Sequence, residues 1–168
     1  GVAKYAVEKY LYSYSRLFGI QFVALRYGNM YGPRQNPYGE SGVVAIFTKR
    51  MLSGQPIIIH GDGSQTKDYV YIQDAVVAAI CAMEKDIQGV VNIASGKETS
   101  VMEIYASLKE ITGFSNRVEY IDFPVEGFPM HTYLSIEKAK KELGWEPKVL
   151  LRDGIEKTVE WFRGTEQY

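Results

Sequence analysis

The order of hydrophobic and polar positions along the chain predicts helices separated by short strands. In residues 3–18 apolar side chains recur every three or four positions, and Gly19 follows where a helix C-terminal cap belongs. Ser100 and Glu103 have the spacing of a capping box, which predicts a helix ending at Thr112. Further helices are predicted over residues 43–53, over residues 75–83 after Asp74, from a cap at Ser135 to Leu143, and from a cap at Asp153 through Phe162.

Short apolar runs between these helices predict the strands. They lie at residues 21–26, 57–60, 68–72, 90–93 and 118–121. Strands that alternate with helices are typical of an α/β fold with parallel strands. Residues 27–42 are predicted to be a long loop, residues 61–64 a turn, and residues 123–129 a flexible stretch.

Composition excludes several classes of protein. The 168 residues (19.0 kDa) fit one domain, or one domain plus a fragment. A net charge of −1 argues against nucleic-acid and anionic-membrane partners. Cys81 is the only cysteine, and the two histidines, His60 and His131, are too far apart for a zinc motif, so no metal site is predicted. Without a long apolar stretch or a signal peptide, we expect a cytoplasmic, globular protein.

The start of the chain is unusual. Gly1 is not preceded by methionine, and the residues after it already have the pattern of a helix interior with no capping side chain. We therefore expect the sequence to be a fragment.

Two glycine-containing segments are candidates for a binding site. Residues 27–34 leave the C-terminal end of a predicted strand, where open α/β sheets bind ligands, and they offer an amide, two phenols and a guanidinium. A Gly-Pro turn with packed tyrosines is an equally good interpretation. Residues 61–68 contain hydroxyl groups and Lys67, which could bind a phosphate. The segment lacks the spacing of a P-loop, so a solvated turn is the better interpretation.

Tyr5 and Lys9 match the pattern Tyr-x-x-x-Lys. This spacing places both side chains on one helix face, where the ammonium lowers the pKa of the phenol and makes it a proton acceptor. Thirteen tyrosines make a chance match easy. Lys4 would need its tyrosine immediately before Gly1.

Three longer segments resemble one family. Residues 25–35 (LRYGNMYGPRQ) resemble its Leu-Arg-Tyr-Phe/Ala-Asn-Val-Tyr-Gly-Pro-Arg-Gln motif, and residues 61–71 (GDGSQTKDYVY) resemble Gly-Asp-Gly-x-x-Thr-Arg-Asp-Tyr/Phe-Val-Tyr. Residues 138–147 (KAKKELGWEP) resemble Lys-Ala-x-x-x-Leu-Gly-Trp-x-Pro. On these motifs the chain is identified as similar to the extended short-chain dehydrogenase/reductase family of nucleotide-sugar epimerases and dehydratases.

The resemblance implies a fold and a position within it. Residues 1–168 would be the C-terminal part of an NAD(P)-binding Rossmann-like domain, interleaved with the small α/β substrate-binding domain. The N-terminal part, with the Gly-x-x-Gly-x-x-Gly dinucleotide motif, would be absent. Residues 1–4 align with the last four letters of the family's Tyr-x-x-x-Lys, which makes Lys4 the catalytic lysine and Tyr5 with Lys9 a chance match.

The resemblance also implies an activity and its residues. The parent enzyme would bind NAD and epimerise C4 of a UDP-hexose through a 4-keto intermediate. Lys4 would bind the nicotinamide ribose and lower the pKa of the catalytic tyrosine, and Tyr27 would lie beside the nicotinamide. Substrate-binding roles would fall to Asn29 on the phosphate side, to Lys67 in place of the usual diphosphate-binding arginine, and to Val44, Ile58 and His60 around the uracil.

Some features depart from the family pattern and leave alternatives open. Gly28 replaces an aromatic residue or alanine, and residues 125–128 (VEGF) replace Arg-x-Gly-Asp. A 4,6-dehydratase or decarboxylase of the same family is an alternative, as is a non-catalytic sugar-nucleotide-binding fragment. We expect this polypeptide alone to be inactive. The family's mode of dimerisation makes residues 4–18 a candidate homodimer interface, and a plain buried helix is the alternative.

Overall fold

The computed structural model describes residues 1–39, 42–123 and 129–165. The helices within these ranges are α1 (Val2–Phe18), α2 (Val43–Leu52), α3 (Ile72–Glu84), α4 (Val101–Thr112), α5 (Leu151–Thr165) and a π-helical segment, Ala139–Leu143. The strands are β1 (Val23–Tyr27), β2 (Asn29–Tyr31), β3 (Ile57–His60), β4 (Thr66–Lys67), β5 (Tyr69–Tyr71), β6 (Gly89–Ile93), β7 (Thr99–Ser100) and β8 (Val118–Ile121).

The strands associate in pairs, and most of the pairs are parallel. β1 lies parallel to β6, β2 to β5 and β3 to β8, while β4 and β7 are antiparallel with Lys67 opposite Thr99. The partners in each parallel pair are far apart in sequence and are joined through helices, as parallel pairing requires. The predicted α/β class with parallel strands is confirmed.

Two apolar clusters hold these elements together. The larger cluster joins α2, α4 and α5 to β3 and to the tyrosines of β2 and β5. The second cluster packs α3 and the π-helical segment against β1 and β6. Cys81, a predicted core residue, is half-buried against this second cluster. The protein therefore has two packing centres, and β2 and β5 lie where they meet.

Helix α1 is attached by only a few side chains. None of its residues is buried, although it carries many tyrosines. The Arg26 guanidinium on β1 donates to both carboxylate oxygens of Glu8, at 2.7 and 2.6 Å, and the Tyr12 ring packs edge-on against Phe22. Most of the apolar surface of this helix faces outward in the described part of the protein.

Three short strands were not predicted. β2 lies inside the segment predicted to be a loop, and β4 and β7 have two residues each. A hydrophobic period cannot be recognised in two or three residues, and these strands exist because partners distant in sequence pair with them. Of the stretch predicted to be flexible, residues 124–128 lie outside the described residues.

The predicted starts of the last helices and of α3 were wrong. α3 begins at Ile72 rather than at Asp74, and α5 begins at Leu151, which places Asp153 in its first turn. The short basic helix begins at Glu137, two residues after the predicted cap Ser135, and becomes π-helical. The main-chain carbonyl of Ser135 accepts a hydrogen bond from the side-chain amide of Asn92. The end of the predicted strand 68–72 was also wrong, because Ile72 belongs to α3.

Asp74 has a different role from a helix cap. Its side chain is buried, and Oδ2 accepts the main-chain N–H groups of Lys148 and Val149 at 3.1 and 3.0 Å. Its carbonyl accepts the indole N–H of Trp145 at 3.0 Å. Because a buried carboxylate is costly unless hydrogen-bonded, these bonds fix the segment before α5 onto α3.

No helix in the described ranges is long and apolar enough to cross a membrane.

Asp74→Ala should lower the free energy of unfolding by about 2–4 kcal/mol, because two main-chain N–H groups lose the buried carboxylate that accepts their hydrogen bonds. Urea unfolding followed by tryptophan fluorescence measures this change. Asp86→Ala, at an exposed aspartate, is the matched control and should change stability by less than about 0.5 kcal/mol. Equal effects of the two substitutions would contradict the anchoring role of Asp74.

Candidate functional site

A pocket of about 680 Å³ lies between β2, α2, β3 and β4. It contains all five residues predicted to bind substrate: Asn29, Val44, Ile58, His60 and Lys67. These residues come from four different elements and span nearly 40 positions of sequence. The structure therefore brings together in one pocket residues that are far apart in sequence. That these residues bind a substrate is still a prediction.

Asp68 fixes the wall formed by β2 and β4. Its carboxylate is buried and accepts four hydrogen bonds, from Ser95 N and Oγ at 2.6 Å each, Gly96 N at 3.0 Å and Leu134 N at 3.2 Å. Its carbonyl accepts the N–H of Asn29 at 2.6 Å. One anchored residue thereby adjoins both Asn29, through this hydrogen bond, and Lys67, its neighbour in sequence.

Gly28 allows the chain to pass close to this anchor. A Cβ atom at this position would lie 2.8 Å from the carbonyl oxygen of Asp68 and 3.2 Å from the Cβ of Ala94. This departure from the family pattern therefore has a packing explanation here. The second departure, residues 125–128, lies outside the described residues.

One half of the pocket is apolar. Val44 in the first turn of α2 is buried, and Ile58 on β3 is a half-buried residue of the same wall. Val43, Ile46 and Phe47 extend this surface along α2. A flat, weakly polar ring fits such a surface better than a charged group does.

His60 closes the apolar half at the end of β3. Its Nδ1 lies 3.3 Å from the carbonyl oxygen of Asp122, and its ring stacks on Phe123 at 6.3 Å between centroids. Gly61 makes this stacking possible, since a Cβ there would overlap the Phe123 ring. The His60 ring is therefore held by contacts with the segment after β8.

Lys67 supplies positive charge to the other half. Its Nζ donates to the carbonyl of Pro129 at 3.0 Å and to Thr132 Oγ1 at 3.4 Å, and burial lowers its pKa from the ordinary value. An ammonium with several donors suits a phosphate group, although it lacks the two-pronged geometry of arginine. The pocket thus combines an apolar surface with a cationic end.

Lys4 and Tyr27 lie outside the wall of this pocket. Lys4 is exposed in the first turn of α1, and Tyr27 is half-buried at the end of β1, where burial raises the pKa of its phenol. On the same helix the Nζ of Lys9 lies 4.5 Å from the centre of the Tyr5 ring, and a hydrogen bond with Tyr5 raises the pKa of Lys9. Both members of the Tyr5 and Lys9 pair are exposed at the surface.

Several residues of the pocket wall were not predicted. Gln35, Arg50, Gln65, Tyr69, Val101 and Ile121 belong to it. Gln35, Gln65 and Tyr69 lie within the quoted motifs, so the motifs themselves could have identified them. Arg50, Val101 and Ile121 carry no local signal, because only the packing of α2, α4 and β8 brings them to the pocket. Burial raises the pKa of Tyr69 to about 12, so its phenol stays neutral.

The described residues offer no group of three or more His, Cys, Asp or Glu side chains that could hold a metal ion. His131 contacts Glu98 and Thr66 rather than a second histidine.

Comparison with known proteins identifies the family. Residues 1–94 match the model of the NAD dependent epimerase/dehydratase family, and the chain belongs to this family. A putative UDP-glucose 4-epimerase of Methanocaldococcus jannaschii is 45% identical over 163 residues, which are 97% of this chain and 52% of that relative. The chain thus spans about half the length of the curated relatives it matches.

Solved structures give the same assignment. A UDP-glucose 4-epimerase of Thermotoga maritima with UDP-glucose has a TM-score of 0.94 and 49% identity, covering 99% of this chain and 53% of that one. A UDP-glucose 4-epimerase of Thermus thermophilus in complex with NAD has a TM-score of 0.86 and 38% identity, covering 95% of this chain and 52% of that one. The protein has the fold of these enzymes, and NAD is the cofactor of its family.

The donor set on α1 and β1 fits part of this cofactor. The exposed ammonium of Lys4 can donate to ribose hydroxyls, and the half-buried ring of Tyr27 offers a flat apolar surface to a nicotinamide. Since Tyr27 ends β1 and the pocket begins at Gly28, the two candidate regions adjoin at one strand end. This agrees with the position of ligands at the carboxyl ends of parallel strands.

Gly61→Ala should be more destabilising than Gly54→Ala. Both glycines have left-handed backbones, with φ of 62° and 65°, but a Cβ at Gly54 meets open space, whereas one at Gly61 overlaps Phe123. We expect Gly54→Ala to cost about 1–2 kcal/mol from the backbone alone, and Gly61→Ala at least about 1 kcal/mol more. Paired urea unfolding curves measure the difference, and equal losses would show that the Phe123 ring yields freely.

Proposed function

We propose that this chain forms the nucleotide-sugar-binding half of an NAD-dependent 4-epimerase that interconverts UDP-glucose and UDP-galactose. The meeting of Asn29, Val44, Ile58, His60 and Lys67 in one pocket is the observation that carries the proposal. The resemblance to UDP-glucose 4-epimerases over nearly the whole chain supports it.

The two halves of the pocket suit the two ends of a nucleotide diphosphate. In the proposal, the uracil packs against Val44 and Ile58 beside the fixed ring of His60. The diphosphate lies at the cationic end, where Lys67 neutralises charge and the Asn29 amide donates a hydrogen bond. Binding at both ends orients the hexose, and this orientation lowers the entropic cost of reaction at C4.

The chain would also contribute to the chemistry at C4. NAD, when bound, would supply the capacity to accept a hydride from C4 and to return it to the opposite face of the sugar. In the proposal, Lys4 holds the ribose hydroxyls of the cofactor, and its charge favours the ionised form of the family's catalytic tyrosine, which takes the proton of the C4 hydroxyl. Tyr27 keeps water away from the reacting ring.

Product analysis of the full-length enzyme with UDP-glucose and NAD tests the function. We expect UDP-galactose as the product. A 4-keto-6-deoxy sugar would identify a dehydratase, and absence of any product while UDP binds would favour a non-catalytic sugar-nucleotide-binding protein. The 168-residue polypeptide, which contains no Gly-x-x-Gly-x-x-Gly sequence, is the matched control and should not turn over.

We also propose that the enzyme is a homodimer joined through residues 4–18 of α1. Val7, Tyr10, Tyr14 and Leu17 repeat at intervals of three and four residues, and each is more than half exposed. This stripe resembles the seam of paired helices, and tyrosines are common in interfaces.

Leu17→Glu in the full-length enzyme should shift the sedimentation coefficient from dimer to monomer, because a charge in the seam would be buried without a partner. Met83→Glu on α3, at a residue 85% exposed, is the matched control and should stay dimeric. Dimers of both variants would exclude α1 from the interface.

A further inference from the structure

Three polar side chains from distant parts of the sequence meet beside Lys67. The hydroxyl of Thr66 donates to Glu98 Oε2 at 2.5 Å, and Nδ1 of His131 lies 3.1 Å from the same Oε2 and 3.2 Å from Thr66 Oγ1. The hydrogen bond from Thr66, which has the larger effect, and the hydrogen bond from His131 hold the pKa of Glu98 below its usual value. We call Thr66, Glu98 and His131 the clasp.

The geometry of the clasp excludes a proton relay. A Ser-His-Asp type of relay uses one imidazole nitrogen for the hydroxyl and the other for the carboxylate. Here a single nitrogen, Nδ1 of His131, contacts both groups. Since the carboxylate can only accept, Nδ1 carries a hydrogen, and the threonine hydroxyl gives its own hydrogen to Glu98. The hydroxyl is therefore not an activated nucleophile.

The clasp instead joins three backbone segments. Thr66 belongs to β4, Glu98 immediately precedes β7, which pairs with β4, and His131 lies in the segment 129–134. The N–H of Thr66 also donates to the carbonyl of Met130 at 2.7 Å. Segment 129–134 is thereby held against β4 through both main chain and side chains.

The held segment provides two hydrogen-bond acceptors to the neighbouring Lys67. Nζ of Lys67 donates to Pro129 O and Thr132 Oγ1, which lie on either side of Met130 and His131. The position of the ammonium therefore depends on where residues 129–132 lie. Two of the three clasp residues flank these contacts directly in sequence, Thr66 before Lys67 and His131 before Thr132.

We propose that the clasp is a positioning device for Lys67, which sets the place of its ammonium in the pocket wall so that it meets a diphosphate. This inference rests on the proposed function only in requiring that the ligand carry a diphosphate. Thr66, Glu98 and His131 are positioning residues, and they act on the ligand only through Lys67.

A double-mutant cycle in the full-length enzyme tests the inference, with UDP as the calorimetric probe. Thr66→Val keeps the shape of the side chain but removes the hydroxyl, and should weaken UDP binding about threefold. Lys67→Met should weaken it about tenfold. In the double variant we expect no loss beyond that of Lys67→Met, because the clasp acts through the ammonium. Thr66→Ser should restore wild-type affinity.

Two further measurements separate positioning from general stability. In turnover assays Thr66→Val should raise KM with kcat within about twofold. Glu110→Gln is the matched control for Glu98→Gln, since Glu110 forms a surface pair with Arg152, at 2.7 Å, that includes no pocket residue. Glu98→Gln should weaken UDP binding, and Glu110→Gln should not.

The outcomes distinguish failure of the inference from failure of the proposed function. Unchanged UDP affinity in Thr66→Val, or additive losses in the double variant, would overturn the positioning role. Normal UDP binding with the predicted cycle but no epimerisation would overturn the proposed activity alone. Absence of UDP binding by the wild-type enzyme would overturn both.

Discussion

The buried carboxylate of Asp68 is the constraint on which the candidate site depends. Asp68 lies between β4 and β5, and its carboxylate accepts hydrogen bonds from the turn after β6 and from the N–H of Leu134. The main-chain carbonyl of Asp68 accepts a hydrogen bond from the N–H of Asn29. A charge in this position is tolerated only because each oxygen has donors at hydrogen-bonding distance. The same requirement makes the segments converge, since none of them alone could satisfy the carboxylate.

The convergence at Asp68 links the two apolar clusters to the pocket. β5, directly after Asp68, sends Val70 into the second cluster and Tyr69 and Tyr71 into the first. Its partner β2 carries Asn29 into the pocket wall. Asp74, in the first turn of α3, binds the chain before α5 in a comparable way. Two buried aspartates six residues apart thus organise the chain on both sides of β5.

Sequence predicted what local chemistry determines. The capping box of Ser100 and Glu103 is present, and the glycines at 19 and 113 end helices in left-handed conformations. β4 and β7 were missed because two residues have no period, and the role of Asp74 was missed because its partners are 74 and 75 residues away. The substrate-binding residues of the pocket were predicted through resemblance to a family. Without it, the apolar side chains of Val44 and Ile58 indicate only core positions.

The bonds to Asp68 have a consequence for the evolution of this fold. Three of the four donors to its carboxylate are main-chain N–H groups, which every residue except proline possesses. The segment after residue 128 is therefore attached at Leu134 irrespective of that side chain. Neighbouring side chains of the segment can then change without detaching it. Such an arrangement lets one scaffold accept substitutions along a single surface segment while its main-chain attachment is kept.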